Sequence, residues 1–420
     1  MPSTPLRQAF FNRRMLICVF TGFSSGLPLY ILISLLPAWL RSEQVDLKSI
    51  GLFALIQLPY TWKFLWAPLL DRYVWSRLGR RRGWMLLSQV ALLLSLPLFG
   101  WLSPKLDLWT IAYLAAAVAL FSATQDIALD AFRREILSDV ELGLGNAIHV
   151  NAYRIAGLVP GSLSLILADH LPWRSVFLIT ALFMLPGVVM ALRVTEPELA
   201  KCAPKTLRQA VIEPFHEFVT RQGWRPALLV LAFIFLYKLG DSMATALATP
   251  FYLDMGFSKS DIGLIAKHAG LWPSVIGGLL GGVWMIKLGI NRALWLFGVV
   301  QVVSILGFAW LSLVGYDKVL LAAVIGFEAL GVGLGTTAFV AFIAYQTHPL
   351  YTATQFALFT SLAAVPRTFA NAATGYLVES FGWFGFFILC TVLALPGMLL
   401  LLKVAPWQGD ESVVGVKCPA

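Results

Sequence analysis

The chain has 420 residues, of which 59% are hydrophobic and only 13% charged, at a mean hydropathy of +0.78. A soluble globular chain carries about 25% charged residues, so this composition excludes that class. The net charge of +9 lies between apolar runs rather than in a basic stripe, which argues against nucleic-acid binding.

Apolar runs of about twenty residues recur along the chain, long enough to cross a hydrocarbon core of roughly 30 Å as helices. The expected spans are 15–40, 49–69, 84–103, 108–132, 145–168 and 175–194, then 226–253, 261–286, 293–314, 319–344, 353–378 and 384–403. The fold class is therefore an all-α polytopic membrane protein of twelve helices in two six-helix halves. The boundaries read as an N-terminal bundle 1–194, a linker 195–225, a C-terminal bundle 226–404 and a tail 405–420. The "FNRRMLICVF" stretch reads as the start of an uncleaved first helix, because its long apolar run has no small-residue cleavage site.

Placed by these spans, twenty of the Lys and Arg side chains fall on the side of the termini. Six fall on the other side: Arg41, Lys48, Lys105, Arg174, Lys259 and Lys318. The asymmetry predicts that both termini are cytoplasmic. In the linker, Leu207, Ala210, Val211, Phe215, Phe218 and Val219 recur at three- and four-residue steps, the pattern of an amphipathic helix on the membrane surface.

The halves echo one another. "YILISLLPAWL" corresponds to "MATALATPFYL", Arg154 to Arg367 at an offset of 213, and Trp173 to Trp383 at an offset of 210. Two related halves with a ligand site between them are what a rocking transporter requires.

Ionisable groups inside the spans are Lys63, Asp126, Asp130, Arg154, Lys238, Asp241, Lys267, Glu328 and Arg367. Such residues face a bundle interior, paired or wet. Asp126 and Asp130 share one helix face, and at 1.5 Å per residue Asp126 lies roughly 27 Å from Leu108, in the cytoplasmic third. They serve either as a paired helix end near Lys63 and Arg133 or as a proton site. Lys238 and Asp241 form an i, i+3 pair, with Gly240 permitting a bend. "GGLLGG" (277–282) and "GVGLG" (331–335) lie inside apolar spans with no strand before them, which fits close helix packing rather than phosphate binding. Of the aromatics near the spans, Tyr30 lies deep enough to stack on a sugar. The four dispersed cysteines and five histidines show no metal-ligand spacing.

"PLLDRYVWSRLGRRRGW" (68–84) resembles the D-R-x-G-R-[RK] loop of the major facilitator superfamily, with four extra residues before Leu78. That resemblance implies a conformational charge relay through Asp71, Arg72, Gly79, Arg80 and Arg81. "GFSSGLPLYI", "WKFLWAPLLDRY", "SATQDIALDAF", "YKLGDSMAT", "IGLIAK" and "TATQFALFTSLAAVPR" together resemble the AmpG muropeptide permeases, from about Arg13 to Leu402. Many members of that family carry two further C-terminal helices, which this sequence does not contain.

The resemblance implies proton-driven import of anhydromuropeptides across the bacterial inner membrane for cell-wall recycling. No cofactor beyond the proton motive force is implied, and the partners are protons, the bilayer and a small anionic glycopeptide. Asp126 and Asp130 would handle protons. Lys238, Lys267 and Arg367 would meet ligand carboxylates, and Gln125 and Tyr30 its sugars. Apart from the resemblance, the deep intramembrane charges Arg154, Asp241 and Glu328 are further candidates for ligand contact. The alternatives are a sibling permease for a siderophore or another anionic metabolite, a membrane-embedded enzyme, for which no nucleophile–base set stands out, and a non-transporting sensor.

Overall fold

The computed structural model describes residues 12–45, 56, 58–74, 78–195, 207–258, 261–262, 265 and 267–407, without the side chains of 207, 208, 222, 267, 349 and 366–373. Among the described residues the chain is helical throughout its spans. The N-terminal half contains α1 (Arg13–Ser42), α2 (58–72), α3 (Arg80–Trp101), α4 (Leu108–Ile136), α5 (Asp139–Ala168) and α6 (Trp173–Arg193). A surface helix, α7 (Leu207–Gln222), follows. The C-terminal half contains α8 (Trp224–Asp254), α9 (267–288), α10 (290–314), α11 (Lys318–Gln346), α12 (352–381) and α13 (383–404).

Among the described residues nine helices are long and apolar enough to cross a membrane, fewer than the twelve expected. The difference has identifiable causes. Two helical stretches run on through turns at Gly289 (φ 72°) and Gly382 (φ 66°), where a positive φ favours glycine. The second expected span is described at Ile56 and then from Leu58, as short pieces interrupted at Lys63–Leu65. The tail is described only to Trp407.

The internal repeat is visible in side-chain packing. In the N-terminal half, the Phe177 ring lies 5.0 Å from Trp39, 5.5 Å from Phe99 and 6.1 Å from Trp173. In the C-terminal half, Phe387 lies 4.8 Å from Phe251, 5.4 Å from Phe308 and 6.1 Å from Trp383. Corresponding members sit 209 to 212 positions apart, so the Trp173–Trp383 echo marks one four-ring cluster built twice. The turns before α3 and α10 also match, with Gly79 at φ 85° and Gly289 at φ 72°.

The two membrane faces differ. On the terminal face, Arg13 reaches the Arg193 carbonyl, Arg82 the Leu192 carbonyl, and Trp295 the Ala405 carbonyl. On the far face, each half has its own apolar core, one around Trp39 and Phe177, the other around Phe251 and Phe387. Toward the terminal face the cores merge: Met15, Cys18 and Leu144 pack with Met285 and Phe342, and Ala353 and Ala357 pack with Leu70 and Phe132. The halves are thus joined at the terminal face.

Glycines allow close packing both across that join and inside the C-terminal half. A Cβ on Gly282 would strike the Ala147 side chain of α5 across the join, and one on Gly277 would strike the Leu330 carbonyl of α11 within the C-terminal half. The "GGLLGG" run is a helix-packing seam, as its position inside an apolar span predicts. Helix α7 turns Ala210 and Phe218 inward, whereas Val211, Phe215 and Val219 stay about 42–46% exposed. Only part of its expected apolar stripe packs on the bundle.

Candidate functional site: a charged cavity and its closed floor

A cavity of about 790 Å³ lies between the halves, within the roughly 300–1,000 Å³ of small-molecule sites. Its wall carries Arg154 from α5, Lys238 and Asp241 from α8, and Glu328 from α11. Three helices far apart in sequence therefore bring charged side chains to one space. Glu328 lies ten residues after Lys318, or roughly 15 Å along the axis, halfway through the hydrocarbon core. Phe339, Val340 and Ile343 continue the wall toward the terminal face.

The charged groups are held in different ways. The α8 backbone breaks at Lys238 (φ −101°, ψ 5°), and Lys238 Nζ donates to Asp241 Oδ2 at 2.9 Å across that break. Gly240 is not the bend. A Cβ there would strike the Cys390 carbonyl, so its role is close approach to α13. Arg154 donates to the Ser274 carbonyl at 2.8 Å, joining α5 to α9. Tyr30 and Tyr153, rings 5.5 Å apart, lie within electrostatic reach of that guanidinium. The carboxyl groups of Asp241 and Glu328 lie within hydrogen-bonding reach of each other. Asp241 Oδ1 and Glu328 Oε1 are buried without a donor among the described residues.

Asp126 and Asp130 lie elsewhere, between α1, α2 and α4. Asp130 is paired with Arg133 at 2.9 Å and Lys63 at 3.6 Å, while Asp126 accepts from Ser25 Oγ at 2.6 Å. Gln125 is fully buried and donates to the Ser24 carbonyl at 2.6 Å, away from the cavity wall. Lys267 and Arg367 lie on α9 and α12, and their side chains are outside the described residues.

The floor at the terminal face is an ion-pair network. Asp71, fully buried, accepts from Arg81 at 2.8 Å, the Thr354 amide at 2.8 Å, the Thr354 hydroxyl at 2.7 Å and the Ala353 amide at 3.3 Å. The amides belong to the first turn of α12, so an N-half carboxylate caps a C-half helix, where free N–H groups and the helix dipole favour an anion. Arg81 also pairs with Glu135 at 2.6 Å, and Arg80 with Glu135 at 3.1 Å. The four extra residues in this loop leave the Asp71–Arg81 pair intact. Arg72 stands apart, its guanidinium 5.7 Å from the Tyr73 ring.

Arg134 donates to the Ala344 carbonyl at 2.6 Å, Arg221 of α7 to the Gln346 carbonyl at 2.6 Å, and Tyr351 to Glu213 at 2.6 Å. Glu135 is the residue that sequence reasoning missed. The fourth span was expected to end at 132, and α4 runs to Ile136, carrying Glu135 inside.

The sequence matches the family model described as Major Facilitator Superfamily over residues 18–371. The chain belongs to the major facilitator superfamily. Membership makes it a membrane transporter and not an enzyme. It is 54% identical to an uncharacterized protein of Haemophilus influenzae, over 98% of this chain and 99% of that one. It is 40% identical to the anhydromuropeptide permease of Escherichia coli K12, over 95% of this chain and 81% of that one. The human organic anion transporter MFSD10 (TETRAN) shares the facilitator fold, with a TM-score of 0.70 at 17% identity over 95% of this chain and all of that one.

Proposed function

We propose that the chain is a proton-coupled secondary transporter that carries anhydromuropeptides from periplasm to cytoplasm, across the bacterial inner membrane, for cell-wall recycling. The observation that carries this reading is the 40% identity to the anhydromuropeptide permease across nearly the whole chain. The cavity fits such a cargo chemically. Arg154 and Lys238 offer cationic donors for peptide carboxylates, and the adjoining polar and aromatic groups suit acetamido sugars.

The excess of Lys and Arg on the terminal face supports a cytoplasmic assignment for that face and both termini. The halves are joined there, so the form described here is closed toward the cytoplasm. Alternating access then consists of releasing the Asp71–Thr354 and Arg134–Ala344 bonds while the halves rock about the cavity. Asp126 and Asp130, beside Lys63 and Arg133, take part in moving the proton. The driving partner is the proton motive force, with no bound cofactor.

Competition for uptake tests the cargo. Membrane vesicles containing the protein take up labelled anhydromuropeptide, and excess unlabelled anhydromuropeptide suppresses that uptake while an iron–siderophore complex does not. The opposite order would assign the protein to a siderophore or other anionic metabolite instead.

A further inference from the structure

We propose that Asp241 and Glu328 act as one proton-sharing pair, and that its protonation gives the cavity the positive charge that attracts the ligand's carboxylate. This rests on the reading of an anionic cargo and adds where a coupled proton sits and what it changes.

Three observations carry it. First, Asp241 Oδ1 and Glu328 Oε1 are each buried without a donor among the described residues, yet the two carboxyl groups lie within hydrogen-bonding reach. Two ionised carboxylates offer only acceptors to one another, whereas one proton between them supplies the missing donor. Second, Asp241 already accepts from Lys238 through its other oxygen, so the pair and the cation form one chain, Lys238–Asp241–Glu328. Third, Arg154 donates to an uncharged carbonyl and makes no ion pair among the described residues.

The charge at the wall then depends on one proton. With both acids ionised, Lys238 and Arg154 are balanced by Asp241 and Glu328, and the wall is neutral. With one proton on the pair, the wall carries one net positive charge, and a ligand carboxylate completes it. Proton and ligand therefore bind cooperatively, and each strengthens the other by the same factor. The proton enters from the far-face solution, forms an O–H on one carboxyl and donates to the other, and no other bond changes. Among the described residues, the remaining titratable groups within electrostatic reach of this chain are Tyr237 near Asp241, Tyr252 near Glu328, and Tyr30 and Tyr153 near Arg154. The side chains of Lys267 and Arg367 lie outside the described residues.

The test compares the wild-type protein with Glu328→Gln, whose amide donates to Asp241 without carrying a charge. Calorimetry in two buffers of different ionisation enthalpy should show up to one proton taken up with each anhydromuropeptide, reaching one where the ligand-free pair has lost its proton. Wild-type affinity should weaken by about tenfold per pH unit once the pair has lost its proton. In Glu328→Gln the affinity loses that pH dependence, and accumulation driven by a proton gradient falls to the level of simple exchange. Ligand binding with no proton uptake, or a variant that keeps the wild-type pH dependence, would overturn the proposal.

Infrared difference spectra of the ligand-free protein give a second readout. A protonated-carboxyl band should titrate in wild type and be absent in Glu328→Gln, and a band unchanged by the substitution would overturn the pair. A wild-type protein that binds no anhydromuropeptide yet loses this band in the variant would instead refute the cargo and leave the proton pair standing.

Discussion

Replacing Asp71 by Asn keeps the side-chain shape and removes the charge that joins the halves. The carboxylate accepts three bonds from the first turn of α12, two of them at 2.8 Å or less from Thr354. Hydrogen bonds to charged groups contribute about 1.5–3 kcal/mol each and neutral ones about 1, so losing the two short bonds and keeping one neutral replacement costs about 2–5 kcal/mol. These bonds exist only while the terminal face is closed, and the cost therefore appears in the equilibrium between closed and open forms. At 1.4 kcal/mol per decade, the open population should rise by roughly thirtyfold to several thousandfold. Spin labels at Val140 of the N-terminal half and Lys403 of the C-terminal half, both exposed, report that separation. Asp71→Asn should add a longer distance that wild type lacks. A folded variant with an unchanged distance distribution would refute this role of Asp71.

The twinned aromatic clusters predict matched losses: Phe177→Ala and Phe387→Ala, each 1% exposed, should each lower stability by about 3–5 kcal/mol in denaturation, within error of one another. Gly282→Val should force α9 off Ala147 and reduce both thermal stability and transport, by an overpacking cost of about 1–3 kcal/mol. For Glu141, burial opposes ionisation, but the Ser138 amide and hydroxyl and Arg14 outweigh it and hold the carboxyl below its usual range. A depressed carboxyl stabilises the fold above its unfolded value and loses that contribution as pH falls through the folded one. Thermal unfolding followed from neutral pH downward should therefore show a steeper loss in wild type than in Glu141→Gln.

The parts of this structure legible in the sequence are those written in local patterns. Apolar runs gave the spans, the paired Trp173 and Trp383 pointed to the repeat, and the glycines at 277–282 pointed to a packing seam. Arg154, Lys238, Asp241 and Glu328 were recognisable singly, because a charge in an apolar run is conspicuous. That they share one wall is a property of helix packing across the two halves, which spacing along the chain does not encode. Glu135 was hidden by a boundary, since a charged "RRE" reads as a loop until Arg80 and Arg81 are seen to pair with Glu135. Gly240 was read from its flexibility, whereas its lack of a side chain is what the α13 contact needs.

The central claim is that this facilitator moves an anhydromuropeptide and draws on the proton gradient to do so. Flux of labelled anhydromuropeptide into proteoliposomes of the purified protein tests it most directly. The account predicts accumulation above the external concentration when the medium is acidified relative to the lumen, and only equilibration when a protonophore removes the gradient. Accumulation that ignores the gradient, or no flux under either condition, would contradict it.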